Sequence, residues 1–410
     1  MDCKHMSWTM RYFTANCVRR WRRKWIRNAV VAVAALFGLA RIASAQTAFY
    51  DAPESLLAGA PGTVVRQEPM DGAPLGASAY RVLYRSTGLS GRPIFVSGVV
   101  IVPQGAPPPG GRSIVAWAHP TSGTVPRCAP SLAIFLFQQI QGLRSMIARG
   151  FVVAATDYPG LGTPGPHPYL VGESEGRAVI DIVRAARSLP RVGEGKDFAV
   201  WGHSQGGQAA LFAGMMASAY APELRLLGVA AAAPATDLAT LMSDDLNTIG
   251  GKNITAMTLW SWHRVYGAVI DNVVDPRAMP AIDRLAQECI EGPFDLIVRQ
   301  RTERPLEQYF LTVQDPTKAE PWRSLLEQNS TGVLSPEISI FLAQGTNDQI
   351  IRPAVTQAYM DKLCKAGSKV RMVVLPGIGH GRAAEASTMA AVNWLTERFA
   401  GKIPPDDCVR

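Results

Sequence analysis

The pentapeptide Gly202-His203-Ser204-Gln205-Gly206 stands between a short apolar run, 197–201, and a helical stretch of small residues that begins at Gly207. No other feature restricts the chain as much. A serine set between glycines, at the end of a buried strand and the start of a helix, requires a turn too tight for bulky Cβ substituents on either side. That context puts Ser204 at a helix N-terminus, where the backbone N–H of Gln205 and the helix dipole stabilise a developing oxyanion. Glycine and serine are common, and a plain structural turn is the competing reading. The partners of Ser204 decide between the two.

Eight apolar or β-branched runs bounded by turn residues read as strands: 80–86, 93–102, 113–118, 151–156, 198–202, 227–233, 338–343 and 370–375. The first two look like an antiparallel pair. From the third onward the runs alternate with helical stretches at 134–149, 173–189, 204–220, 354–366 and 383–399. The expected fold class is therefore α/β, a mostly parallel eight-stranded sheet with helices on both faces. Ligands bind such sheets outside the carboxyl ends of the strands, so each loop after a strand is a candidate for chemistry. Ser204 follows the fifth strand, as in the α/β-hydrolase plan, whose catalytic order is Ser, acid, His.

The alternation breaks once. About a hundred residues, 236–335, separate the sixth strand from the seventh, and they carry Met242, Met257, Trp260, Trp262, Tyr266, Phe294, Tyr309 and Trp322. An insertion there sits over the carboxyl edge of the sheet and reads as a helical cap or lid. Most of its aromatic residues are expected to form its own core, and a minority to meet substrate. The expected organisation is a leader over 1–45, a first core part over 46–235, the cap over 236–335 and a second core part over 336–410.

A serine nucleophile needs a base, and the base needs a carboxylate to fix its tautomer. Six histidines are available. His5 lies in the leader, His119 follows the third strand, His167 is in a Pro-rich loop, His203 points away from Ser204 within the elbow, and His263 is in the cap. His380, directly after the last strand and before the last helix, is selected by position. Asp348, in the loop after the seventh strand, is the expected acid, with Asp237 after the sixth as the fallback. A second oxyanion donor beside the N–H of Gln205 is expected either in the segment His119-Pro120-Thr121-Ser122-Gly123-Thr124 or at Asp157 after the fourth strand. Composition does not choose between them.

The N-terminus carries Arg19, Arg20, Arg22, Arg23, Lys24 and Arg27, then an apolar run, 29–40, then Ala43-Ser44-Ala45. That is the layout of a cleavable export signal, too short in its apolar core to span a bilayer at about 20 residues. Export to the periplasm or the medium, with cleavage near Ala45, is expected. Nine Lys/Arg and one acid precede Gln46, so of the chain's 41 basic and 33 acidic residues 32 of each remain. The net charge of +8 belongs to the leader, and nucleic-acid binding loses its support. Cys3 and Cys17 leave with the signal. Cys128, Cys289, Cys364 and Cys408 remain, an even four that allows two disulfides in three connectivities. No Cys/His cluster has zinc spacing, and no metal is expected.

The segments Tyr84-Arg85-Ser86-Thr87, Arg127-Cys128-Ala129-Pro130-Ser131, Thr156-Asp157-Tyr158-Pro159-Gly160, Gly172-Glu173-Ser174-Glu175-Gly176-Arg177, the elbow, Ser218-Ala219-Tyr220-Ala221-Pro222-Glu223-Leu224, Asp348 with Ile350, and His380 occur in this order. Through them the chain resembles the secretory lipase family, the type of fungal lipase A. The resemblance implies a secreted carboxylic ester hydrolase, a lipase or esterase, with no cofactor, a helical cap and no obligate protein partner. It implies Ser204 as nucleophile, Asp348 as orienting acid and His380 as base, and it favours Asp157 with the backbone of Gln205 for the oxyanion. An aspartate donates there only if protonated, or through its backbone N–H. The resemblance also implies pairing of Cys128 with Cys289 and of Cys364 with Cys408. Small-molecule or lipid esters are the expected substrates, with transient lipid-interface contact through the cap. His203 and Gln205 in the elbow, and the chain ending soon after its last helix, depart from the fungal pattern and argue against long-chain triglyceride. The rivals are a serine peptidase of the same fold, for which Glu173 and Glu175 could hold a peptide N-terminus, and an inactive secreted binding protein.

Overall fold

The structure, a computed structural model, describes residues 48–246 and 248–408. The expected export signal over 1–45, its cleavage point, His5, Cys3 and Cys17 lie outside the described residues. One compact unit begins at Pro53, and residues 48–52 belong to a separate one.

Among the described residues nine strands make a single sheet. In chain order they are β1 (Val64–Met70), β2 (Ala77–Thr87), β3 (Pro93–Pro103), β4 (Ile114–Ala118), β5 (Val152–Thr156), β6 (Asp197–His203), β7 (Arg225–Ala232), β8 (Ile340–Gly345) and β9 (Val370–Leu375). Across the sheet they run β1-β2-β3-β5-β4-β6-β7-β8-β9. The pairings up to β3 with β5 are antiparallel, and those from β5 with β4 to β8 with β9 are parallel. The expectation of eight strands is corrected by β1. Its sequence, Val-Val-Arg-Gln-Glu-Pro-Met, has no continuous apolar run, contains Pro69 and slips register near its start. Those are the marks of an edge strand, which needs only one paired side.

The helices beside this sheet are α1 (Leu136–Gln139), α2 (Leu143–Ala148), α3 (Gly172–Arg187) and α4 (Gln205–Tyr220) before β7. The single helix predicted over 134–149 is two short ones, because Gly142 between them takes φ +84°, outside the helical region. Between β7 and β8 come α5 (Leu238–Asp245), α6 (Ile249–Tyr266), α7 (Met279–Gln287), α8 (Pro293–Glu303), α9 (Pro305–Gln308) and α10 (Trp322–Asn329), and after β8 come α11 (Pro353–Lys365) and α12 (Ala383–Phe399). On β7 the consecutive residues Gly228 and Val229 face Trp394 of α12 and Gly214 of α4. Successive strand residues point to opposite faces, so α12 and α4 cover opposite faces of the sheet.

The strands from β4 to β8 are buried along nearly their whole length. A sheet covered on both sides requires that continuous apolar composition. The segment between β7 and β8 has a core of its own. Trp262 and Trp322 are stacked at 6.4 Å, Tyr266 meets Trp262 edge-on, and the indole N–H of Trp262 donates to the Tyr169 carbonyl at 2.8 Å. Cys128 is bonded to Cys289 and Cys364 to Cys408, the pairing that the family resemblance implies. Among the described residues no helix is long and apolar enough to cross a membrane.

Candidate active site

Ser204 sits between β6 and α4 with φ +57° and ψ −121°. This backbone region is unfavourable for a residue with a Cβ, and it persists only where the surroundings enforce it. The surroundings here are other backbones. A Cβ on Gly202 would lie 2.0 Å from the Gly206 carbonyl oxygen, and one on Gly206 would lie 2.0 Å from that of Ala118. The two glycines of the motif are thus required by close approach, and they let α4 start directly under the end of β4. The Ser204 N–H donates to the Ala232 carbonyl at 3.0 Å, pinning the turn to the neighbouring strand.

The structure brings Ser204, His380 and Asp348 together. Ser204 Oγ lies 2.8 Å from His380 Nε2, and His380 Nδ1 lies 2.8 Å from Asp348 Oδ2. The carboxylate side of the ring carries the proton, so Nδ1–H donates to Asp348 and Nε2 accepts from the serine. Asp348 in turn is held from behind: its Oδ1 accepts from the N–H groups of Ile350 and Ile351, each at 2.9 Å, and Gln344 Nε2 donates to its Oδ2 at 3.3 Å. Burial alone would raise its pKa, but the His380 bond and the two backbone donors outweigh it and hold the carboxyl below its ordinary value. Asp237 is elsewhere, capping α5 through the N–H of Thr240 at 3.0 Å.

His203 has a part that sequence reasoning did not assign. Its Nε2–H donates to the carbonyl of His380 at 3.0 Å, and the two rings lie 5.0 Å apart. Burial lowers its pKa to about 3, so the ring is neutral. The residue preceding the serine therefore fixes the backbone of the residue that receives the serine's proton.

Gln205 offers its backbone N–H at the first position of α4, where no intrahelical acceptor exists. Its side chain runs the other way. Gln205 Nε2 donates to Glu175 Oε1 and to His167 Nε2, both at 2.8 Å, inside a wholly buried cluster. Glu175 also accepts the N–H of Leu170 at 2.9 Å, and burial raises its pKa well above the ordinary value. Glu173 pairs with Arg177. Neither glutamate lines the cavity in front of Ser204, so the acidic pair a peptidase would use on a peptide N-terminus is not in place.

Asp157 lines that cavity together with Ser204 and His380. Its backbone N–H is taken by the Ser97 carbonyl at 2.8 Å, which closes the backbone route to an oxyanion. Its carboxyl accepts from Ser97 Oγ at 2.6 Å, from the Ser131 N–H at 2.8 Å and from Ser131 Oγ. Burial is the dominant influence and raises its pKa against these three bonds, which favours the protonated carboxyl as donor. His119, the alternative, is bound through Nδ1 to the Pro120 carbonyl at 2.6 Å and packs on Tyr158 at 4.3 Å.

Two spaces meet at Ser204. A cavity of about 700 Å³ is lined by His380, Asp157 and Trp117 on the sheet side and by Asn253, Met257 and Ile297 from the segment between β7 and β8. A second, almost wholly apolar slot runs beside Leu238, Leu241, Met242, Ile254 and Leu326; it measures about 40 Å³, and His380 does not line it. Trp260, Trp262 and Trp322 reach neither space, whereas Met242 and Met257 each wall one.

The model of a family described as secretory lipase matches residues 136–407. The secreted triacylglycerol lipase LIP7 of Malassezia globosa is 24% identical over 396 residues, 90% of this chain and 82% of its own. A Mycobacterium tuberculosis protein named probable inactive lipase MT1628 is 25% identical over 88% of this chain and 84% of its own. Among solved structures, Candida antarctica lipase A in its closed state superposes with a TM-score of 0.72 at 16% identity, over 88% of this chain and 87% of its own. The fold is that of an α/β-hydrolase.

Proposed function

The chain belongs to the secretory lipase family, and from that premise we propose that it is a secreted serine carboxylic ester hydrolase that works through Ser204, His380 and Asp348. The continuous path from Ser204 Oγ through both ring nitrogens of His380 to Asp348, each step 2.8 Å long, is the observation that carries the reading.

His380 Nε2 takes the Ser204 proton as Oγ forms a bond to the ester carbonyl carbon. The carbonyl π pair moves onto oxygen, where the Gln205 N–H and the protonated Asp157 carboxyl hold it. The pair returns, the bond to the alcohol oxygen breaks, and His380 gives its proton to the departing alcohol. Water enters by the same route in reverse: His380 takes one of its protons, hydroxide oxygen adds to the acyl carbon, and the acid leaves as Ser204 Oγ regains a proton. Because His380 lines only the wide cavity, the alcohol leaves on that side and the acyl group occupies the narrow slot. That slot has room for about three water molecules, which supports short acyl chains.

The segment 236–335 acts as a cap. Phe294, Leu296 and Ile297 are exposed on α8, and Ile134 and Phe135 are exposed on the loop before α1. Gln139 Nε2 donates to the Glu291 carbonyl at 3.1 Å and ties the two segments together. An exposed apolar patch at a cavity mouth supports transient contact with a lipid surface.

Labelling by a serine-reactive fluorophosphonate tests the reading. Stoichiometric labelling of the wild type and none of Ser204→Ala is the expected result, and an unlabelled folded wild type would place the chain with its relative named inactive.

A further inference from the structure

The wide cavity holds two buried donors that the ester chemistry does not use. Arg299, on α8, is 2% exposed and lines the cavity. Its Nε donates to Asn253 Oδ1 at 3.1 Å, and its Nη1 donates to the carbonyls of Leu285 at 2.8 Å and Glu288 at 2.6 Å. Those three bonds explain its position. Its Nη2 donates, among the described residues, only to the thioether sulfur of Met257, at 2.9 Å, and sulfur is a weak acceptor. Among the described residues no carboxylate forms an ion pair with it. Ser122, 8% exposed, lines the same cavity, and its hydroxyl has no hydrogen-bond partner among the described residues.

The two donors are set on one strip of backbone. The Ser122 carbonyl accepts the N–H of Ile290 at 2.8 Å, while Arg299 binds the carbonyl of Glu288. The bond between Cys128 and Cys289 fixes the residue between those two anchors. Both residues are thus anchored to one strip of backbone at the wall of the cavity. A buried guanidinium edge and a buried hydroxyl, each short of an oxygen acceptor, call for a ligand with paired oxygens.

We propose that Arg299 and Ser122 form an anion subsite that takes a carboxylate borne by the leaving alcohol of the ester. Glu288, Asp295 and Glu303 act on Arg299 at longer range, and the ligand carboxylate binds against their charge. The proposal rests on the ester-hydrolase reading, since it is His380 that assigns the alcohol to this cavity.

The experiment compares 4-acetoxybenzoate with 4-acetoxybenzamide, which has the same size and no charge, each rate divided by its uncatalysed rate. The wild type is expected to favour the carboxylate in kcat/KM by about tenfold. Arg299→Gln is expected to bring that ratio close to one, and Ser122→Ala to lower it several-fold. Because Arg299 also ties α8 to α7, binding is read separately on Ser204→Ala by calorimetry, where 4-hydroxybenzoate should bind about tenfold more tightly than 4-hydroxybenzamide. Equal kcat/KM for the two esters, equal binding of the two products, or a ratio that survives both substitutions would overturn the subsite. Hydrolysis of neither ester, with 4-hydroxybenzoate still bound selectively, would instead overturn the enzymatic reading and leave the subsite standing.

Discussion

His203 holds the backbone of His380: its Nε2–H donates to the His380 carbonyl at 3.0 Å. The elbow thus fixes its serine and, through the preceding side chain, the imidazole opposite. A base displaced by an ångström costs on the order of 10² in rate. His203→Ala should therefore lower kcat by about 10- to 100-fold with KM nearly constant, as steady-state kinetics on a short-chain nitrophenyl ester will report. A merely structural role would move the melting temperature and leave kcat per folded molecule as it was.

Ser204→Ala removes the nucleophile and keeps a Cβ in the same unfavourable backbone region. Its kcat should drop by at least ~10³, with a circular dichroism spectrum and melting temperature close to the wild type. Near-normal ester turnover by the folded variant would end the assignment.

Glu175 is buried with its Oε2 unpartnered, and burial raises its pKa well above the ordinary value. For a carboxyl with a raised folded-state pKa, the favourable contribution is complete below the unfolded value near 4.3 and is lost as pH rises through the folded one. Glu175→Gln removes the titration and keeps an oxygen for the donors Leu170 and Gln205. The variant should gain stability relative to wild type between pH 5 and pH 8, by up to about 1.4 kcal/mol per pH unit. Urea denaturation at three pH values measures it, and a difference independent of pH would refute a protonated Glu175.

In the proposed mechanism the slot beside Leu241 and Met242 limits the acyl group. Nitrophenyl acetate and butyrate should exceed palmitate in kcat/KM by at least about tenfold, and Met242→Ala should move the optimum to longer chains by two or more carbons. High palmitate activity that appears only above its solubility limit would mean that the cap opens at an interface and the slot lengthens.

The bond between Cys128 and Cys289 closes a span of 161 residues, and that between Cys364 and Cys408 a span of 44. In the chain-entropy account the longer closure stabilises by about 1 kcal/mol more. Cys128→Ser with Cys289→Ser should thus cost more in thermal unfolding than Cys364→Ser with Cys408→Ser. It should also raise the KM for esters whose alcohol bears a carboxylate, because Cys289 anchors the strip that carries Arg299's contacts.

Ser204, Asp348 and His380 were legible because each follows a strand whose apolar run is unmistakable, and because only one histidine stands between a last strand and a last helix. The edge strand β1 was not legible, since one paired side asks for no continuous apolar run, and Gly142 split a helix that periodicity joins. The second oxyanion donor needed coordinates: only the bond from the Asp157 N–H to Ser97 shows that its backbone is engaged. Arg299 and Ser122 lie 177 positions apart, joined through the Glu288–Ile290 strip, and no local pattern relates them.

The segment from α5 to α10 leaves the sheet at the end of β7 and returns at the start of β8, and those strands are direct neighbours. Because β7 and β8 are parallel, the two ends of the segment lie at opposite ends of the strands, and the chain must run back along the sheet before β8 begins. Buried bonds also hold its interior to the core: Ser261 Oγ donates to the His167 carbonyl at 2.6 Å, and Gln208 Nε2 donates to the Asn329 carbonyl at 2.6 Å. Any replacement for this segment would therefore have to keep the return path along the sheet, the partners of His167 and Gln208, and a cysteine for Cys128.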